Sequence, residues 1–260
     1  MVNFIKTYWK TVLFFALVGL VGGFFTGLYL LDSYPADIQQ QLIHELNAGG
    51  LSMIPVDILL GAITAVQSAG YGLFLGLIGI FLGKKTKLWK DERSLTKKPL
   101  LIAVLTSLAG GLAMILPDIL LFGHYSDAIM DSYASKPTIP YLLASVTYGA
   151  VIEEVMLRLF NMSLIAYLLH KLFWGKREDT PVAALAAANI LSALLFAAGH
   201  LPATFALLGS SPLIILRCFL LNGGLGLLFG WLYRKYGLRY AMIAHGGCHV
   251  VSKLIWIAFL

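Results

Sequence analysis

The sequence predicts an all-α polytopic membrane protein of about seven transmembrane helices, with its N-terminus in the cytoplasm. Three observations predict this. Hydrophobic residues make up 59% of the 260-residue chain and charged ones 12%, where a soluble domain carries about 25% charge. Mean hydropathy is +0.82. So few charges cannot solvate a globular surface, and a disordered chain would be polar and highly charged. Seven stretches also reach the roughly 20 apolar residues that cross a bilayer. Finally, basic residues collect on alternate loops. The net charge of +6 therefore reads as cytoplasmic Lys and Arg, and no nucleic-acid partner is expected.

The first span, Thr11 to Leu31, follows Lys6 and Lys10. Its apolar run exceeds the 7–15 residues typical of a cleaved signal and has no A-x-A site, so it reads as a signal anchor. The first loop holds Asp32, Asp37 and Glu45 and no basic residue. Within it, Ala36 to Leu46 sets Ile38, Leu42, Ile43 and Leu46 on one helical face. Asn47, Gly49 and Gly50 supply a stop, so a short amphipathic helix on the outer interface is expected. The second span, Ile54 to Gly83, is long enough to tilt or protrude. The loop after it, KKTKLWKDERSLTKK, carries seven basic residues. The third span, Pro99 to Phe122, is followed by Asp127 and Asp131 against Lys136. The fourth, Ile139 to Leu169, precedes Lys171, Lys176 and Arg177. The fifth runs from Pro181 to His200 and ends in an uncharged loop. The sixth, Pro212 to Tyr233, and the seventh, Leu238 to Phe259, are joined through Arg234, Lys235 and Arg239. Fifteen of the 19 basic residues thus fall on alternate sides, which sets the N-terminus inside and the C-terminus outside.

Residues 1–135 form an N-terminal region of three spans and 136–260 a core of four, in one integral membrane unit. G-x-x-x-G pairs at Gly19/Gly23, Gly23/Gly27, Gly72/Gly76, Gly79/Gly83 and Gly226/Gly230 let helices approach closely. Internal packing is the expectation, and a homo-oligomer the alternative. Cys218 and Cys248 lie in apolar stretches and read as free, packed thiols.

Ionisable groups within spans are costly and are functional suspects by default. The fourth span contains Glu153, Glu154 and Arg158. Glu154 and Arg158 are four apart on one helical face and can pair. Glu153 is rotated about 100° away, with no basic partner in its own helix. It suits a general base; the alternative is an inter-helix salt-bridge network. His200 follows Phe196 by one turn and reads by itself as an interfacial residue. His245 and His249 share a face and could hold a metal, flank a reacting group, or pack. Taken together these groups look like one site. H-E-x-x-H, G-x-S-x-G and a phosphate-binding loop are all absent.

The motifs resemble a known family. EEVMLR at Glu153–Arg158 fits E-E-x-x-x-R, FAAGH at Phe196–His200 fits F-x-x-x-H, and HGGCH at His245–His249 begins H-x-x-x-N/D. The run GLLFGWLYRKYGLRYAMIAH also looks like that family's penultimate helix and turn. It is the CPBP family of intramembrane endopeptidases (CAAX proteases and bacteriocin-processing proteins, or Abi). The resemblance covers about Tyr141 to Ser252. The departure is His249, where the family usually has Asn.

The resemblance implies that Glu153 is the base that activates water and that His200 orients it. It implies that His245 and His249 donate to the oxyanion, and that Glu154 and Arg158 support the helix beside Phe196. No cofactor is expected. The alternative is a zinc protease with Glu153, His200, His245 and His249 as ligands. A non-catalytic membrane scaffold and a proton-coupled transporter are the rival classes. The transporter is disfavoured by the lack of paired repeats. The implied partners are the lipid bilayer and a membrane-associated protein or peptide substrate, and the implied location is a bacterial cytoplasmic membrane. One feature strains a single site. Residue counting sets His200 at the outer end of its span and His245 about 10 Å above the cytoplasmic end, at about 1.5 Å per residue. Strong tilt or a turn dipping into the bilayer is then required.

Overall fold

Every regular element among the described residues is helical. The computed structural model describes residues 2–32, 36–50, 53–91 and 94–260. Arg93 of the basic loop and the Asp32 side chain lie outside the described residues. Eight helices organise the chain: α1 (Val2–Asp32), α2 (Ala36–Ala48), α3 (Val56–Lys85), α4 (Lys97–Leu120), α5 (139–174), α6 (Val182–Leu208), α7 (Pro212–Tyr236) and α8 (Leu238–Phe259).

Six of them, α1, α3, α4, α6, α7 and α8, are long and apolar enough to cross a membrane. The remaining expected span, α5, is helical throughout but carries Glu153, Glu154 and Arg158, so its composition alone does not mark it. The contacts at its two ends fit a helix that runs the length of the bundle. At one end, Tyr8 near the N-terminus donates to Asp91 (2.8 Å), as do Trp89 (2.7 Å) and Lys84 (2.9 Å). At that same end Lys87 pairs with Asp179, and the Thr96 amide donates to Tyr240 (2.8 Å). At the other end Asp118 accepts from Tyr133 (2.7 Å) and Arg217 (2.6 Å). There Trp256, near the C-terminus, donates to the Tyr133 carbonyl (3.1 Å). The termini sit at opposite ends, so the number of crossings is odd. The basic loops share the first end, in the alternation read from the sequence.

Two boundaries move. The first span begins at Asn3, so Lys6 and Lys10 are part of the helix. The fifth does not stop at His200: α6 passes through Pro202 to Leu208. His200 therefore lies within the span, and this removes most of the strain in bringing it to His245. The α7–α8 turn needs no excursion into the bilayer. It is the single residue Gly237, whose φ of 108° suits a residue without Cβ.

Glycines weld α1 to α3. A Cβ at Gly19, Gly23 or Gly27 would come within 2.4, 2.3 or 2.4 Å of the carbonyl oxygens of Ser68, Thr64 and Leu60. The Thr64 hydroxyl completes the seam by donating to Gly23 O (2.7 Å). Gly79 meets Leu159 of α5, and Gly226 and Gly230 meet Ala193 and Asn189 of α6. One buried cluster then joins both halves of the chain: Tyr8, Val12 and Phe15 of α1 with Ile80, Leu159, Phe229 and Ala244. Outside it, Leu13, Leu17 and Leu20 of α1 and Leu101, Leu105, Leu108 and Leu112 of α4 stay exposed. Apolar stripes on that scale belong against lipid. The amphipathic α2 buries none of its residues. Cys218 and Cys248 are free and buried.

Candidate active site

The site forms where α5, α6, α7 and α8 face one another. Across it α5 abandons α-helical winding. Residues Ser145–Glu153 and Val155–Met162 run as wide π turns on either side of Glu154. Such turns leave an i→i+5 ladder and recur at functional sites. The sequence reading assumed a regular α period here, so the 100° separation of Glu153 from Glu154 does not hold as a strict angle.

Glu154 is the hub. It is fully buried, and its Oε1 lies 2.9 Å from His245 Nδ1 and 3.4 Å from Arg158 Nη1. Arg158, 1% exposed, also donates to the Gly226 carbonyl (3.1 Å). Its guanidinium lies 4.5 Å from the Phe196 ring and 5.6 Å from the Phe229 ring, a cation–π clamp on a charge withdrawn from water. Gly226 leaves room for this arrangement, since a Cβ there would sit 3.2 Å from Arg158 Nη2. Glu154 Oε2 and Arg158 Nη1 have no hydrogen-bond partner among the described residues.

Glu153 points elsewhere. Its side chain keeps 20% exposure, and its Oε2 lies 3.9 Å from His245 Nε2. Tyr141 and Tyr148 are within its electrostatic reach. The His245 ring is stacked between Phe229 (4.6 Å, 19°) and His249 (5.0 Å, 29°), with Phe196 edge-on at 6.0 Å. Phe196 also meets His200 edge-on (4.6 Å). His200 Nδ1 lies 2.8 Å from the Phe196 carbonyl. A carbonyl only accepts, so that nitrogen carries the proton and Nε2 is bare when the ring is neutral.

The chain therefore brings Glu153, Glu154, Arg158, Phe196, His245 and His249 into one contact network, with His200 attached through Phe196 and within electrostatic reach of His249. His200 makes no hydrogen bond to Glu153, His245 or His249 among those the structure describes. No three His, Cys, Asp or Glu side chains among the described residues form a group that could hold a metal ion.

Residues 135–251 match the model of the family described as type II CAAX prenyl endopeptidase Rce1-like. This segment is similar to the Rce1-like endopeptidases. No curated protein and no solved structure matched the chain. The matched segment opens just before α5 and contains every site residue expected from the motifs. The match supports CAAX-type intramembrane protease activity in general terms, with a membrane-associated protein or peptide as the class of substrate. Helices α1 to α4 lie wholly outside it, yet α1 packs against the matched segment's own wide-turned stretch.

Sequence reasoning missed three groups. Phe229, one wall of the site, lies in the run that resembles the family's penultimate helix but is not itself one of the motif residues. Lys253, 5% exposed, lies on α8 one turn beyond His249 and just past the matched segment. Asp118 and Arg217 form a buried pair at the opposite end from the basic loops. The rule that flagged Glu153 flags Lys253, Asp118 and Arg217 as well, since each is a charge inside an apolar span.

Proposed function

We propose that the chain is an endopeptidase in which Glu153 and His200 activate water while His245 and His249 hold the oxyanion. One observation carries the reading: the Glu153 carboxylate and the His245 ring, from different helices, approach to 3.9 Å beside a second carboxylate already occupied by Arg158. Glu153 keeps partial exposure, as a base that meets water requires. Its carboxylate takes a proton from water, and the hydroxide adds to the scissile carbonyl carbon. The resulting oxyanion accepts N–H bonds from His245 and His249. Glu153 returns its proton to the leaving amine as the C–N bond breaks. His200 contributes a bare Nε2 that accepts from the same water and fixes its direction.

Glu154 acquires a wider role than pairing with Arg158. His245 faces Glu154 Oε1 with Nδ1 and turns Nε2 toward Glu153 Oε2, so it links the two carboxylates. A general base contributes about 10²–10⁴ in rate. Glu153→Gln should therefore remove cleavage, read as membrane-protein fragments that vanish between wild-type and variant cells, while the purified protein stays folded. Near-normal cleavage in Glu153→Gln would end this assignment.

The zinc-dependent version remains a distinct chemistry. It would need Glu153, His200, His245 and His249 as ligands, and these do not gather into a metal-holding group among the described residues. Elemental analysis of purified protein together with His249→Asn separates the two. The metal-free reading expects no stoichiometric metal and substantial activity in the variant, since an Asn amide offers an N–H as well. About one equivalent of tightly bound metal, lost in the variant along with activity, would establish the zinc reading.

A further inference from the structure

Lys253 is the charged residue at the site that the proposed chemistry leaves unused. It lies on the same face of α8 as His245 and His249, in steps of four residues. Its side chain is buried, and among the described residues it forms no ion pair with a carboxylate. Its Nζ lies 3.3 Å from His249 Nδ1 and 4.3 Å from the centre of the Tyr141 ring. A charge in that position within a span is expensive and needs a reason.

The departure from the family pattern supplies one. An asparagine at position 249 always offers an N–H. A neutral histidine offers one at a given nitrogen only in one of its two tautomers. An ammonium has three donors and no acceptor, so the nitrogen it touches must be the bare one. The proton is then held on Nε2. That atom is the one turned toward α5: it lies 3.2 Å from where a Cβ on Gly149 would stand, four residues ahead of Glu153. The absence of a side chain at Gly149 leaves this edge open toward the glutamate's helix.

We propose that Lys253 is a positioning residue, whose ammonium donates to His249 Nδ1 and fixes the ring as the Nε2–H tautomer that serves as oxyanion donor. His249 and Lys253 together then do what a single asparagine amide does. The tautomer claim stands on geometry; its catalytic consequence rests on the oxyanion role proposed above.

The test uses full-length protein in nanodiscs with ¹⁵N-labelled histidine. The His249 ring signals are assigned by their loss in His249→Asn. Wild type should show a bare Nδ1 and a protonated Nε2. Lys253→Met keeps the volume and removes the donor, so a protonated Nδ1 population should appear. The initial rate of Glu153-dependent cleavage should fall by about tenfold, less than the roughly 10²–10³ lost when an oxyanion donor is removed outright. In the His249→Asn background, Lys253→Met should change the rate by less than about twofold, because an amide needs no tautomer lock. Unchanged ring signals in Lys253→Met would overturn the proposal. So would an equal rate loss with and without His249. A shifted tautomer with an unchanged rate would instead keep the Lys253 contact and refute the oxyanion role of His249.

Discussion

Glu154 concentrates two dependences in one oxygen, since Oε1 faces both Arg158 and His245. Removing its charge strands a guanidinium that is 1% exposed. Breaking a buried pair from one side costs about 3–5 kcal/mol, whereas replacing both partners by apolar groups of similar volume is often neutral. Glu154→Gln should therefore lower the unfolding temperature and the yield of folded protein. The double variant Glu154→Leu/Arg158→Met should recover both without recovering cleavage. A double variant no more stable than Glu154→Gln would show that the pair is not the cause. The i,i+4 spacing that made Glu154 and Arg158 partners was legible in the sequence. That His245 completes the group was not, because nothing local encodes a contact across 91 residues. The same holds for Phe229, whose place against His245 depends on how α7 docks.

Between helices, the seam of α1 and α3 makes a sharper test than any core residue. A methyl at Gly23 would meet Thr64 O at 2.3 Å, while one at Gly70 would meet nothing within 4 Å. Gly23→Ala should destabilise by about 1–3 kcal/mol through forced separation of the helices. Gly70→Ala, in open space, should be neutral or stabilising by up to about 1 kcal/mol from helix propensity. Thermal unfolding of the two variants in the same detergent checks this, and equal behaviour would refute close backbone contact as the source of the seam. G-x-x-x-G spacing pointed to such seams but could not say which helix lies opposite. The wide turns of α5 were hidden for a related reason. They depend on how the whole chain packs around Glu153 and Glu154, and a helical wheel presumes the very winding that α5 departs from.

Across the whole molecule, a polytopic all-α membrane protein was legible from composition and the placement of Lys and Arg, because the bilayer admits few alternatives, and six of the expected spans are helices long and apolar enough to cross it. The structure adds that the basic loops close on one another at one end and Asp118, Arg217 and Tyr133 at the other. A cysteine introduced at Lys176 should react with an impermeant reagent only after cells are opened, and one at Asp131 should react in intact cells. The reverse pattern would invert the orientation. Helix α5 carries its three charged residues, Glu153, Glu154 and Arg158, within six positions, and that has a consequence for biosynthesis. Each such charge at mid-bilayer costs about 2.5–3.5 kcal/mol on insertion scales, and α5 emerges from the ribosome long before His245. The helix must enter the membrane with Glu154 and Arg158 already answering each other, and with α1 and α3 waiting to receive it. Helices α1 and α3, which pack against α5, both precede it in the chain, so the surface that buries it is made before it is.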